Sequence, residues 1–169
     1  MTQLRLTTAD DIPFLERQQS DPDAAGEHNW FGYRVVGHLA SRLHSGELIG
    51  REHGMLTVAD DDGRIVGDVS WRLTLNGPPP NGGCWNIGIW LAPEARGKGH
   101  GSEAQRLLAE YLFAHTTYER VEASTEAGNL GEQKALEKAG FTREGVLRSA
   151  CFRAGEWRDM VMYSKLRGE

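Results

Sequence analysis

The segment Arg96-Gly97-Lys98-Gly99-His100-Gly101 carries the clearest chemistry in the sequence. Its three alternating glycines let the backbone turn tightly and leave N–H groups uncovered. The segment runs into Ser102–Thr116, where Ala104, Leu107, Leu108, Tyr111 and Leu112 fall on one side of a helix. The first N–H groups of a helix lack internal partners, and the helix dipole favours an anion beside them. Arg96 and Lys98 add positive charge, so the segment predicts a phosphate or pyrophosphate cradle. The competing interpretation is a glycine-rich turn with basic residues on a solvated face. Two familiar phosphate loops fit less well. A P-loop needs a Lys-Ser/Thr pair after its last glycine, whereas Ser102-Glu103 follows here. The dinucleotide fingerprint places its glycines directly after a strand, and here Ala92–Arg96 intervene. Glu122 lies near the spacing of that fingerprint's acidic ribose ligand, but its neighbours are not paired βαβ units.

The elements that must position this turn follow from periodicity. Leu4 and Leu6 alternate with polar residues as in a short first strand, and Thr8 with Asp11 reads as a capping pair. Ile12, Phe14 and Leu15 supply the buried stripe of the helix it opens. Ser20–Phe31 reads as loop, and a second helix is expected over Tyr33–Leu43, with Val36, Leu39, Ala40 and Leu43 at helical spacing. The period then changes to that of strands at Met55–Ala59, Arg64–Leu75 and Cys84–Leu91. Asp60–Gly63 turns between the first two, Asn76–Gly83 is a proline-rich loop, and Pro93 stops the third. Beyond the amphipathic helix come a strand at Val121–Ser124 and a helix over Leu130–Ala139, stopped by Gly140. Phe141–Phe152 and Trp157–Lys165 close the order as a hairpin around Gly155. The pattern is mixed α/β, mostly strand with helices on both faces, and no repeat or linker divides residues 1–169 into more than one domain.

Bulk properties narrow the partners. Hydrophobic residues make up 39% and charged residues 25% of the 169, a globular and soluble balance. A net charge of -5, with no Lys/Arg run, gives no support to a nucleic-acid surface. Cys84 and Cys151 are too few for a disulfide framework and lack companions at metal-ligand spacing, so no metal is expected. Met1–Ser20 has no basic-then-apolar leader, and no apolar run approaches the roughly 18 residues of a membrane span. The expected setting is cytoplasmic, without a membrane partner.

A family resemblance becomes specific at this point. Arg96-x-x-Gly99-x-Gly101 resembles the acyl-CoA pyrophosphate motif of the GNAT N-acetyltransferases. Asn86-Ile87-Gly88-Ile89-Trp90-Leu91-Ala92-Pro93-Glu94 is similar to the fourth strand of the ribosomal-protein alanine acetyltransferase branch. Asn129, followed by Ala135-Leu136-Glu137-Lys138-Ala139-Gly140-Phe141, resembles that branch's second signature. The resemblance implies a central, mostly antiparallel seven-stranded sheet, splayed between its fourth and fifth strands and flanked by about four helices. Acetyl-CoA would enter that slot as co-substrate. The resemblance has Ile89, Trp90 and Leu91 bond the pantetheine arm or polarise the thioester through backbone groups. It has Arg96, Gly97, Lys98, Gly99, His100 and Gly101 hold the pyrophosphate, Asn129 sit beside the thioester, and Lys134 reach a CoA phosphate.

The expected reaction is direct acetyl transfer to a primary amine in a ternary complex, which needs a neutral nitrogen and a polarised carbonyl. The sequence departs from the family where a Glu often starts the fourth strand and Asn86 stands instead; Asn86 remains able to position an acceptor or a water. Glu132 occupies the place of a frequent Ser, and Leu136 stands where other branches carry a Tyr, so no standard general acid for the leaving thiolate is visible. Glu132 would take that part if desolvation raised its pKa; it otherwise reads as an exposed helix residue, and solvent protonation would also suffice. Acceptor-side candidates are Glu27 and His28, which lie in a loop beside Trp30 and Phe31, and Asp68, an acid within the third strand. Trp71 and Trp157 are candidates to line the acceptor pocket, and each is equally readable as packing. Three functions stay open: acetylation of a small amine metabolite or antibiotic-like amine, acetylation of a peptide N-terminus, and noncatalytic acyl-CoA binding. The resemblance also admits a homodimer through the closing strands.

Overall fold

Apolar alternation produces seven strands in the computed structural model, which describes residues 1–79 and 81–169. They are β1 (Gln3–Arg5), β2 (His53–Ala59), β3 (Ile65–Leu75), β4 (Gly83–Leu91), β5 (Arg120–Glu126), β6 (Thr142–Arg153) and β7 (Glu156–Leu166). Pro80, within the proline-rich loop read over Asn76–Gly83, lies outside the described residues. Five helices accompany the strands among the described residues: α1 (Ile12–Ser20), the single-turn α2 (Pro22–Ala25), α3 (His38–His44), α4 (His100–His115) and α5 (Leu130–Lys138). The strands form one sheet in the order β1-β2-β3-β4-β5-β7-β6, parallel only between β4 and β5. This is the mixed α/β arrangement expected.

The pleat sends alternate residues of β3 and β4 to opposite faces, and each face gathers its own core. Val69, Trp71, Trp85 and Ile87 join Leu108 and Leu112 of α4 and Leu136 of α5 in the larger cluster. Trp90 and Met55 meet Ile12, Leu15 and Leu39 in a smaller one under α1–α3. Asp68 and Ser70 belong to that second face, opposite Trp90 and Gly88 in register. Polar groups thus break up the second face, and a cavity lined by Asp68 and Ser70 opens there.

β4 and β5 pair at Trp85↔Val121, Asn86↔Glu122 and Ile87↔Ala123, then stop, although β4 continues to Leu91 and β5 to Glu126. The β5-facing edge of Gly88–Leu91 therefore has no strand partner, and backbone polar groups along it are open to a ligand.

Two expectations about elements need correction. The second helix starts at His38 rather than Tyr33, because Gly37 takes φ +92 and sets the helix start, leaving Val35 and Val36 exposed. Ser20–Phe31 is not all loop: Ser20 ends α1, Pro22 seeds α2, and Glu27–Asn29 form a 3-10 turn. The capping pair is present, with Asp11 accepting from the Thr8 N–H at 2.8 Å. No helix among the described residues is long and apolar enough to cross a membrane.

Candidate active site

The end of β4 sets the glycine turn. After Leu91, Pro93–Ala95 make one 3-10 turn, and the chain then passes Gly97 (φ +73) and Gly99 (φ +89) into α4. Gly99 is the N-cap of α4, so Gly101 lies in the first helical turn rather than ahead of it. At φ +89 an L side chain is strained even where space is free, and nothing lies within 4 Å of a Cβ built on Gly99.

A groove of about 380 Å³ starts at this turn. It runs from Gly97, Gly99, Gly101 and Ser102, past Ile89 and Leu91, to Asn129 and Glu132, with Lys134 and Lys138 along it. One end is therefore a helix start with two lysines nearby, suited to phosphate oxygens; the other enters the gap between β4 and β5. Asn129 is the N-cap of α5, its Oδ1 accepting from the Glu132 N–H at 3.2 Å.

Arg96 has a second job that its charge did not suggest. Its Nε donates to the Leu91 carbonyl at 2.9 Å, and Nη2 donates to Ala24 at 3.0 Å and Ala25 at 3.1 Å. Trp90 Nε1 also donates to Ala24, at 2.9 Å. Together they fasten α2, and hence His28, over the slot. Gly26 makes room for this: a Cβ there would lie 2.5 Å from Arg96 Nη1.

A second cavity of about 200 Å³ fills the strand gap, lined by Ile87, Gly88, Ile89 and Ala123–Glu126, with Cys151 and Met160 from the closing hairpin. His28, Asn29, Ile89, Asn129 and Glu132 line both cavities and so mark their junction. His28 Nδ1, a buried atom, stands 3.5 Å from Glu126 Oε2. Glu126 is itself clasped by Arg153, whose Nη2 donates at 2.8 Å and whose Nε donates to the other oxygen. Both partners are buried, and Arg153 holds the Glu126 carboxyl below its ordinary range. His28 Nδ1 makes no hydrogen bond in this structure, and Glu126 is the acceptor nearest to it; a proton on Nδ1 would leave Nε2 as the basic nitrogen. Glu132 is partly buried rather than exposed, and desolvation pushes its carboxyl up to about 7 against a hydrogen bond from Gln105.

Of the candidates read from the sequence, the structure brings Glu27, His28, Ile89, Leu91, Arg96, Gly97, Gly99, Gly101, Asn129 and Lys134 to the groove. Five others are not brought there. Asn86 lies in the paired part of β4, opposite Glu122, before the strands separate. The Trp90 side chain is buried against Phe14 and Ala24, although its backbone, to which the expectation applied, lies on the stretch of β4 unpaired with β5. Lys98 is exposed and lines neither cavity, and His100 turns away to Thr2, Nδ1 to Oγ1 3.0 Å. Asp68 lines a neighbouring cavity of about 240 Å³, which shares Asn29 with the other two. Asp68 is buried, accepts from Gln18 Nε2 at 3.0 Å, and is pushed up to about 7 by desolvation. Trp71 packs on Tyr111 in the larger core, while Trp157 is exposed beside Arg153 and His28. Glu126 and Arg153 were not singled out from the sequence, and Cys151 and Lys138, though noted there, were not named as site residues. Among the described residues no group of three His, Cys, Asp or Glu side chains converges on a metal position.

Residues 2–142 match the family described as Acetyltransferase (GNAT) domain. The chain belongs to that family. It is 37% identical over 106 residues to Probable N-acetyltransferase YjcK of Bacillus subtilis, covering 63% of this chain and 56% of that relative, little more than half its length. Its fold is similar to that of spermidine N-acetyltransferase from Vibrio cholerae, solved with CoA and spermine, at TM-score 0.78 and 20% identity over 98% and 95% of the two chains. A ribosomal-protein alanine acetyltransferase from Vibrio fischeri shares the fold at TM-score 0.72 and 22% identity, over 99% and 94%. The GNAT strand gap is thus present in this chain together with the glycine turn that opens into it.

Proposed function

We propose that residues 1–169 act as one acetyltransferase domain that moves an acetyl group from acetyl-CoA directly to the primary amine of a small cationic molecule. The observation that carries this reading is the meeting of the two cavities at His28, Ile89 and Asn129. In this reading the N–H groups around Gly97, Gly99 and Gly101 hold the pyrophosphate, and Lys134 and Lys138 neutralise its remaining charge. The unpaired edge of β4 receives the pantetheine arm as a strand would, and an N–H at Ile89 or Trp90 polarises the thioester carbonyl. Asn129 flanks the thioester. His28 Nε2 removes a proton from the acceptor ammonium, and Glu126, held by Arg153, stabilises the imidazolium that results.

A cationic acceptor is favoured by the charges on the acceptor side. Glu126 lines the strand gap as a carboxylate, Glu132 in the gap and Asp68 in the adjoining cavity offer carboxyl oxygens that accept from an ammonium, and the Arg153 cation is already committed to Glu126. The likeness in fold to a spermidine N-acetyltransferase agrees with that choice. A peptide N-terminus is the second reading. It draws on the ribosomal-protein acetyltransferase likeness and on the cleft of about 450 Å³ beside His28, Trp157 and Asp159. The exposed Val146, Leu147, Phe152 and Trp157 of the closing hairpin suit a homodimer, which sedimentation would detect.

Titration calorimetry with CoA tests the groove. The wild-type chain is expected to bind, and Gly99→Val to lose binding while keeping its circular dichroism. Undiminished affinity in a folded Gly99→Val protein removes the cradle from the reading. Cys151 lines the acceptor cavity, so an acyl-enzyme is chemically conceivable. Direct transfer predicts no acetyl adduct on Cys151 when the protein is mixed with acetyl-CoA alone, as intact mass will register.

A further inference from the structure

A bond formed between donor and acceptor must form where the groove meets the strand gap, at His28, Asn29, Ile89, Asn129 and Glu132. Only His28 and Glu132 among these carry a basic or acidic side chain. They come from opposite faces of the sheet. His28 follows α2, whose Ala24 packs in the cluster under α1–α3, while Glu132 sits on α5 with the α4 cluster. A base on one side and an acid on the other can serve the two proton transfers of an acetyl transfer through the gap.

We propose that Glu132, in its carboxylic acid form, gives its proton to the coenzyme A sulfur as the thioester breaks. This rests on the acetyl transfer proposed above. The amine nitrogen forms a bond to the carbonyl carbon, and the carbonyl π pair moves to oxygen. That pair then re-forms the C=O bond, the C–S bond breaks, and its electrons leave on sulfur. The Glu132 O–H proton completes the thiol, and the carboxylate recovers a proton from the one released by the amine, through His28 or solvent. The products are an amide and free coenzyme A.

The surroundings hold Glu132 in place and in its acid form. Its helix turn is capped by Asn129, and its carboxyl meets Gln105, a side chain 1% exposed that also donates to the Gly101 carbonyl at 3.1 Å. Desolvation keeps a large protonated fraction near neutral pH. The neighbouring charged and titratable groups have partners or positions of their own. Lys134 and Lys138 of its own helix line the phosphate-facing groove, and Glu137 accepts from Tyr163 Oη. From β5, Glu126 is held by Arg153; Glu27 lies on the His28 loop and Cys151 on β6.

The test is steady-state thiol release by Glu132→Gln and Glu132→Asp, with CoA affinity and thermal melts measured alongside. Glu132→Gln should melt and bind CoA like the wild type, with kcat lower by about 10²-fold. The wild-type rate should fall as pH rises through about 7, and that fall should vanish in Glu132→Gln. Glu132→Asp should restore part of the rate together with the alkaline fall. A donor with a much more acidic thiol, the acetyl thioester of thionitrobenzoate, should narrow the gap between Glu132→Gln and wild type. An unchanged kcat and pH profile in Glu132→Gln overturns the assignment while acetyl transfer stands. Loss of CoA affinity in that variant also overturns it, in favour of a binding role. A wild-type protein that releases no thiol with any amine overturns the transfer reading and this assignment together.

Discussion

His28 gains its direction from Glu126 and Arg153, three residues drawn from the loop after α2, from β5 and from β6. His28→Ala should lower kcat at least about tenfold with little change in CoA affinity, as kinetics and calorimetry together will report. Glu126→Gln should slow turnover too, and it also leaves a buried Arg153 unpaired, so the melt should show a loss of about 3 kcal/mol. Asp68 makes a different prediction, with a sign that follows from its environment. Its folded value is about 7, against roughly 3.9 in an unfolded chain. Between those values the folded protein binds the extra proton, so Asp68 removes stability as pH rises from about 4 through 7. Asp68→Asn can still accept from Gln18. It should raise stability by up to about 4 kcal/mol at pH 8 and by less than about 1 kcal/mol at pH 4, as denaturant melts at the two pH values will show. Asp68 was legible as a candidate because an acid among apolar strand residues is costly to bury, although its face was set only by the register of β3 on β4. Glu126 with Arg153 was not legible. The pair lies 27 residues apart and meets only through the register of β5, β7 and β6. Glu132 was misread as exposed because helical spacing alone does not reveal that Gln105 and the strand gap close over it.

The glycine turn was legible at the scale of elements because everything it needs is contiguous: a strand end, positive φ at Gly97 and Gly99, and a helix start. Arg96 shows a second role that local charge did not suggest. It lines the groove, yet three backbone carbonyls also hold its Nε and Nη2. Arg96→Ala should therefore cost about 2 kcal/mol of stability and weaken CoA binding through the loosened α2. Arg96→Lys should rescue little, since one ammonium cannot reproduce a planar fork. Parallel melts and calorimetry on the two variants check both statements. The second helix was placed too early because Val36 and Leu39 keep helical spacing across Gly37, whose φ of +92 ends that continuity.

For the whole molecule, a mostly antiparallel seven-stranded sheet with a gap between its fourth and fifth strands was expected from the family resemblance, while the strand order was not. On the acceptor side Glu27, His28 and Asp68 were named as candidates, but Glu126, Arg153 and Cys151 were not, because they come together only through the strand gap and the closing hairpin. Those parts converge on one place where a thioester and an amine can meet. The most direct measurement is free-thiol release from acetyl-CoA across a panel of polyamines, amino acids, aminoglycoside-like amines and amino-terminal peptides, with product masses confirmed. Release that depends on a small cationic amine, with one acetyl group added to the amine product, is the predicted result. Verified CoA binding with no thiol release for any amine or peptide would contradict the transfer of acetyl groups by this chain.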